Sequence, residues 1–148
     1  MVELPHPEYY EGILQLRTPT QEVVDFVRRK TAKDKKAVIV KEKKAKNGID
    51  MYFSSQKYLR SMGKMLKQRF PGILTISRKL FTVSKITGKR VYRVTVLFRV
   101  LPFKRGDVLE VRGETVEIIT LDKKILVKNL KTGKKEVYLV EELLRAIY

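Results

Sequence analysis

The chain has 148 residues, enough for one domain or two small ones, and 43% of them are apolar, which suffices for a packed core. It carries 33 Lys and Arg against 16 Asp and Glu, a formal net charge of +17. Cysteine is absent, which excludes disulfides and cysteine zinc sites, and no apolar run approaches the roughly 20 residues that a membrane helix needs. This composition suits a reducing compartment, and we expect a cytoplasmic protein.

The first elements predicted along the chain are a strand and a helix. Tyr9–Leu16 is rich in Tyr, Ile and Leu, with Tyr10 on the same parity as two leucines, and predicts a strand. Thr18 is suited to cap the following helix and Pro19 to occupy its first position, because Pro has no N–H to leave unpaired there. The helix is expected to run to about Lys30.

A hairpin, a second helix and two further strands follow. Asn47-Gly48 is a strong hairpin signal, Ser54-Ser55 can cap a helix, and Pro71-Gly72 ends that helix. The predicted bounds are Ala37–Lys43 and Gly48–Phe53 for the hairpin, Gln56–Phe70 for the helix, and Ile73–Phe81 and Arg90–Val100 for two strands turned through Thr87-Gly88. This order predicts an α+β fold, an antiparallel sheet with both helices on one face.

The composition changes near Leu101-Pro102-Phe103, where we place a domain boundary. Residues 1–100 hold 23 basic and 8 acidic side chains, a net charge of +15, whereas residues 101–148 have a net charge of only +2. The expected domains are therefore a basic α+β domain, 1–100, and a small SH3-like or partial OB-like barrel, 101–148. The strands predicted in the barrel are Val108–Arg112, Thr115–Leu121, Ile125–Asn129 and Glu136–Val140, before a closing helical turn, Glu141–Ile147.

The distribution of charge argues against enzymatic chemistry. Fourteen Lys and Arg and no acid lie between Asp50 and Asp107, and the only histidine, His6, stands beside prolines at the terminus. Metal-dependent nucleases need clustered carboxylates, and a solvated terminal His is a poor general base. We therefore expect a non-enzymatic protein with no metal, cofactor or small-molecule substrate, and with an anionic partner.

The second helix is the most informative element for binding. Lys57, Arg60, Lys64 and Lys67 fall within an arc of about 80°, apart from the apolar arc, and such a stripe can follow a phosphate backbone. The alternative is a solvated charged face, which ordinarily includes Glu for i,i+4 pairs, and this helix has none. The other candidate RNA-binding residues of the acid-free stretch are Arg78, Lys79, Lys85, Lys89 and Arg90.

A second basic cluster leads into the hairpin turn, at Lys41, Lys43, Lys44 and Lys46. A mobile basic hairpin is one way to reach into an RNA groove, and a flexible solvated loop is the alternative.

The strand ending at Val100 presents Arg93 and Arg99 on its outer face, where they could contact phosphates, and Tyr92 on its core face. We find no paired aromatics at the spacing typical of proteins that read single strands, which favours recognition of folded or double-stranded RNA.

Four stretches of the sequence resemble one known family. They are YYEGILQLR (Tyr9–Arg17), QEVVDFVRR (Gln21–Arg29), GIDMYFSSQKYLRSMGKMLKQRF (Gly48–Phe70) and KLFTVSKITGKRVYRVTVLFR (Lys79–Arg99). Together they resemble the archaeal form of the Nmd-three family, adaptors for the large ribosomal subunit, in order over most of residues 8–110. In that family this region resembles the eukaryotic ribosomal protein L-twenty-two, and the part after it resembles the SH3-like barrel of initiation factor five-A.

The resemblance implies binding of ribosomal RNA on the large subunit, around its tRNA sites and the mobile stalk beside the exit site, in ribosome biogenesis or quality control. The family begins with a cysteine-rich zinc module, so the cysteine-free chain is expected to be a fragment or a member without that module. The acidic, leucine-rich export signals of eukaryotic members have no match here.

Three alternatives stay open. The chain could be a protein-interaction module that docks an acidic partner on the small barrel, or a general binding protein for structured RNA or tRNA. A peripheral membrane protein would need an exposed apolar face beside the cations. The apolar arc of the second helix is expected to be core, so we expect no membrane partner.

Overall fold

A computed structural model describes residues 9–83, 88 and 90–147, and for residues 81–83, 90 and 91 it describes the backbone alone. The chain divides into two compact units, one within residues 1–70 and 74–100 and the other within residues 71–73 and 101–148. The elements in chain order are β1 (Gly12–Arg17), α1 (Gln21–Lys33), β2 (Ile39–Ala45), β3 (Gly48–Phe53), α2 (Gln56–Arg69), β4 (Gly72–Val83), β5 (Arg90–Val100), β6 (Val108–Val111), β7 (Glu114–Leu121), β8 (Lys124–Asn129), β9 (Lys135–Leu139) and α3 (Val140–Ile147).

The first unit is built on a mixed five-stranded sheet with the strand order β2-β3-β1-β5-β4. β1 runs antiparallel to β3 and parallel to β5, with Leu14 opposite Met51 on one side and Val96 on the other. The prediction of an antiparallel sheet was therefore wrong. Alternation of apolar and polar residues is the same for either strand direction, and no short turn joins β1 to β5 to fix it.

Both helices of this unit contribute to one core on one face of the sheet. β5 supplies alternate residues to that core, among them Val96 and Phe98, which are fully buried. The helices add residues at helical spacing, including Val23 and Val27 from α1 and Leu59 from α2. The opposite face of the sheet therefore carries the side chains that the strands point away from this core.

The N-terminus of α1 differs from its prediction. The cap is Thr20, whose side chain accepts a hydrogen bond from the Val23 N–H, and the helix begins at Gln21 and ends at Lys33. Thr18 instead adopts a positive φ of 47°, and its hydroxyl donates to the Val100 carbonyl at 2.7 Å. Thr18 was favoured because Pro19 suited the first helical position. A tertiary contact with β5 decides the conformation instead.

The hairpin of β2 and β3 forms where predicted, but its turn lies one residue earlier. Ala45 pairs with Gly48, so the two-residue turn is Lys46-Asn47, with Asn47 at a φ of 62°. Gly48 is already part of β3, and a Cβ there would lie 1.8 Å from the Leu16 carbonyl oxygen of β1. The glycine is required by the close approach of two backbones rather than by the turn itself.

The second unit consists of a four-stranded antiparallel sheet in the order β6-β7-β8-β9 and the helix α3. The closing turn predicted at Glu141–Ile147 is a helix of two turns that begins one residue earlier. Its core is small and includes Phe103, Ile118, Ile125, Val127 and Leu143.

Candidate nucleic-acid interface

The α2 helix separates its apolar and basic residues as predicted. Ser55 caps it by accepting a hydrogen bond from the Tyr58 N–H, and Leu59, Met62 and Leu66 are fully buried on its inner side. The basic stripe, which we define as Lys57, Arg60, Lys64 and Lys67, lies on the other side, with Arg60 half-buried and the three lysines exposed. A partly buried arginine stem still allows the guanidinium to reach solvent.

The packing of α2 fixes the backbone that carries its basic stripe. Gly63 allows the helix to approach the sheet closely, since a Cβ there would lie 2.9 Å from Val96 Cγ1. At the end of the helix, outside the basic stripe, the Arg69 guanidinium lies 4.9 Å from the centre of the Phe26 ring, a cation–π contact that ties the end of α2 to α1. Because the helix backbone is held in place, only the side chains of the stripe lose conformational freedom when they bind an anion.

The hairpin cations are divided between the two faces of the sheet. Lys41 and Lys43 lie opposite Tyr52 and Asp50, residues that alternate with the core residues of β3, so they belong to the helix-free face. Lys44 lies opposite Ile49 on the helix side, and Lys46 lies in the turn, with both lysines exposed. The hairpin therefore presents no single basic surface, although all four predicted residues are present.

An acidic residue also reduces the charge of the hairpin region. The Arg28 guanidinium of α1 donates to both carboxylate oxygens of Glu42, at 2.7 Å and 3.2 Å. This hydrogen bonding raises the pKa of Arg28 above its ordinary value, so the guanidinium stays charged while its charge is offset. On the other face Arg17 pairs with Asp50 at 2.8 Å.

The β4–β5 part of the prediction is described only in part. Arg78 and Lys79 are exposed on β4, and the Arg78 guanidinium lies 4.5 Å from the centre of the Tyr92 ring. Tyr92 is half-buried rather than a full member of the core. Lys85, Lys89 and the side chain of Arg90 lie outside the described residues, as does the Thr87 half of the predicted turn.

The sequence analysis missed an aromatic and basic group on the helix-free face, which we call the tyrosine patch. It consists of Tyr10, Tyr52, Lys41, Lys43 and Arg93. The two tyrosine rings meet edge to face with their centres 4.9 Å apart, although no aromatics pair at the sequence spacing typical of proteins that read single strands. Tyr10 precedes β1 and contacts the face opposite the leucines, so its predicted parity was also wrong.

A sequence signal for half of this patch existed. Tyr52 stands between Met51 and Phe53, which are both fully buried, so strand alternation places the tyrosine on the opposite face. The partner ring comes from Tyr10, which lies more than forty residues earlier and outside any strand. Spacing along one chain segment cannot reveal such a pair.

The described residues contain no helix long and apolar enough to cross a bilayer. Among the same residues, no three His, Cys, Asp or Glu side chains come together as a metal site requires.

The chain matches a protein-family model described as NMD3, second domain, over residues 9–100. No match was found among the curated proteins compared with the chain. The family match covers more than half of the 148 residues and includes both helices of the first unit and the whole of its sheet. The chain therefore belongs to the NMD3 family, the Nmd-three family of the sequence analysis.

Proposed function

We propose that this member of the NMD3 family is a non-enzymatic RNA-binding protein that binds ribosomal RNA of the large subunit. The observation that carries the proposal is the basic stripe of α2, which stands on a rigid helix without a single acidic residue. Because duplex RNA has a regular array of phosphates, a straight row of cations fits it better than it fits an irregular acidic protein surface. Membership of a family linked to ribosome-related function supports ribosomal RNA as the proposed partner.

Finer features of the proposal rest on the resemblance in sequence. We propose the archaeal form of the family, a first unit similar to ribosomal protein L-twenty-two, and a second unit similar to the SH3-like barrel of initiation factor five-A. The proposed domains are residues 1–100 and 101–148, acting in the cytoplasm in ribosome biogenesis or quality control. The small antiparallel sheet with its own core supports the barrel assignment.

Titration of the full chain with a structured fragment of large-subunit RNA tests the proposal. If five to eight phosphates are contacted, the logarithm of the association constant should fall with that of the salt concentration, with a slope of about −4 to −7. A slope near zero would contradict an electrostatic mechanism. Pulldown of large subunits from lysate, with and without RNase, tests whether the RNA is ribosomal.

A second candidate function is supported by one feature of the second unit. Val137 and Leu139 are exposed, by 57% and 51%, on the same face of β9, which is an edge strand of its sheet. An edge strand with apolar side chains can receive a strand from another protein. This unit could therefore dock a protein partner while the first unit binds RNA. Binding of a protein partner that survives RNase treatment and is lost in the Val137→Lys variant would support this second function.

A further inference from the structure

We infer that the tyrosine patch is a second RNA site, in which an unpaired nucleobase stacks on Tyr52 while Lys41 and Lys43 bind the flanking phosphates. The inference rests on the proposed function in one respect, since it takes RNA to be the partner. It goes beyond the proposed function in the part of the RNA that is bound, because the basic stripe of α2 lies on the other face of the sheet. One rigid duplex cannot reach both surfaces, so the patch would bind a separate, single-stranded segment.

The Tyr52 ring of the patch is available for stacking, and Tyr10 fixes its position. Tyr10 and Tyr52 are both half-buried, and their rings are perpendicular, with an interplanar angle of 89° and a separation of 4.9 Å. An edge-to-face pair fixes each ring while leaving ring faces that are not used by the other ring. The helices and their core lie on the opposite side of the sheet, where Met51 and Phe53 point.

Three cations surround these rings at distances typical of cation–π contacts. The Arg93 guanidinium carbon lies 3.9 Å from the centre of the Tyr10 ring, and the guanidinium also donates to the Tyr10 hydroxyl at 2.9 Å. Lys41 Nζ lies 4.6 Å and Lys43 Nζ 5.6 Å from the centre of the Tyr52 ring. The ring of Tyr52 is thus contacted by the tips of two flexible side chains.

Those two lysines are suited to exchange partners when RNA binds. A lysine has four rotatable bonds in its stem, and its cation–π contact at an exposed site is weak, so its ammonium can move to a phosphate while a base takes its place on the ring. Arg93 differs, because its hydrogen bond to Tyr10 holds both groups in place. The patch therefore combines one fixed pair, Arg93 and Tyr10, with two mobile phosphate ligands, Lys41 and Lys43.

The neighbouring residues of the sheet favour a nucleobase over an acidic peptide. Ile13 pairs with Tyr52 on one side and with Thr95 on the other, which continues the row across the sheet with an apolar and a polar side chain. Asp50 lies opposite Lys43, and although Arg17 pairs with it, a carboxylate there disfavours a run of acidic side chains more than a single base. Aromatic faces are used by bases in particular, since every base has a π-face.

The experiment compares oligoadenosine of about eight nucleotides, an abasic strand of equal phosphate number and a duplex RNA, each titrated with the full chain. We expect Tyr52→Leu to weaken oligoadenosine binding by about five-fold or more, because stacking on one ring contributes at least that much, and to leave abasic and duplex binding unchanged. Tyr52→Phe should retain most of the affinity. Tyr138→Leu, which changes a half-buried strand tyrosine of the second unit, is the matched control and should have no effect.

The outcomes separate this inference from the proposed function. If the parent chain and Tyr52→Leu bind oligoadenosine equally well while both bind the duplex, the inference is overturned and the proposed function stands. If the parent chain does not bind the duplex RNA, the proposed function is overturned. If Tyr52→Leu instead abolishes binding of polyglutamate while oligoadenosine binding persists, the patch is a protein-docking site and the inference is wrong. A melting curve for each variant detects a folding defect. If Tyr52→Leu does not fold, the double variant Lys41→Ser with Lys43→Ser replaces it. That variant must weaken oligoadenosine binding, or the inference is wrong.

Discussion

The sequence predicts a basic cluster on the α2 helix and another on the β2–β3 hairpin, yet in the structure the cations of the two clusters are arranged differently. The helix cations share one face of a rigid element that has no acid. The hairpin cations are split between two faces of a sheet whose strands β2 and β3 carry Glu42 and Asp50, and two of them contact the ring of Tyr52. Charge density along a chain therefore predicts an electrostatic surface only where the local geometry keeps the charges on one face.

The largest expected difference between the two regions is the loss of stability when the glycine that packs closely in each is replaced by alanine. Gly48→Ala places a Cβ 1.8 Å from a backbone oxygen of β1, so a strand must shift, and we expect a loss of about 3 kcal/mol in the free energy of unfolding. Gly63→Ala on α2 meets only side-chain atoms, at 2.9 Å and 3.1 Å, and gains helix propensity, so its loss should be below about 1 kcal/mol. Denaturant melts of the two variants measure the difference, and equal losses would contradict the assigned contacts.

Charge reversal should separate the two regions in binding. Arg60→Glu with Lys64→Glu should weaken binding of structured RNA by about 100-fold, because two contacts become repulsions on a rigid helix. The same reversal at Lys43 and Lys44 should weaken it by about ten-fold or less, since those residues face opposite sides of the sheet. Lys124→Glu with Lys128→Glu, at exposed positions of β8, is the control for net charge alone. Fluorescence anisotropy beside a melting curve gives the ranking, and a larger loss from the hairpin pair would reverse the comparison.

The salt dependence should sharpen the same contrast. Each phosphate contact that is removed lowers the steepness of the slope of log K against log salt by about 1, so the helix double variant should be shallower than the parent by about 2. The hairpin double variant should differ by about 1 or less. Anisotropy titrations at four or five salt concentrations are sufficient, and identical slopes for all three proteins would place the RNA elsewhere.

The smallest effect concerns the acid that offsets the hairpin charge. Glu42→Gln removes the partner of Arg28, and the pKa of Arg28 should fall toward its ordinary value while the guanidinium stays fully charged. The freed cation should raise RNA affinity by about two- to three-fold, an effect that salt weakens because Arg28 is exposed. Glu110→Gln, at an exposed position of β6, controls for the loss of one negative charge. An unchanged affinity in Glu42→Gln would mean that Arg28 lies away from the RNA.

Features of the fold set by local chemistry could be predicted from the sequence. β5 begins and ends where predicted, and α2 begins at Gln56 because Ser55 is a good cap. The turn of the hairpin was misplaced by one residue, since Asn47 and Gly48 both favour positive φ and only the contact of Gly48 with β1 distinguishes them. Thr18 was misread as a cap for a similar reason, because its hydrogen bond to β5 joins residues 82 positions apart.

The candidate site shows the same division between local and distant causes. The basic stripe of α2 follows from helical periodicity, which acts within one segment. The tyrosine patch depends on Tyr10, Tyr52 and Arg93 arriving from three parts of the chain, and the offset of Arg28 depends on Glu42 across fourteen residues. Contacts of this kind follow from the tertiary fold, and no periodicity in the sequence encodes them.

The position of β1 affects the order in which the chain can fold during its synthesis. β1 lies between β3 and β5, so one of its edges is paired once residue 53 is available, but the other stays open until residues 94–99 are made. Until then the nascent chain exposes an unpaired strand edge with a long sequence separation to its partner, a state that favours slow folding and association with other chains. A ribosome stalled between these two points should therefore hold an aggregation-prone intermediate, and release of the complete β5 should remove it.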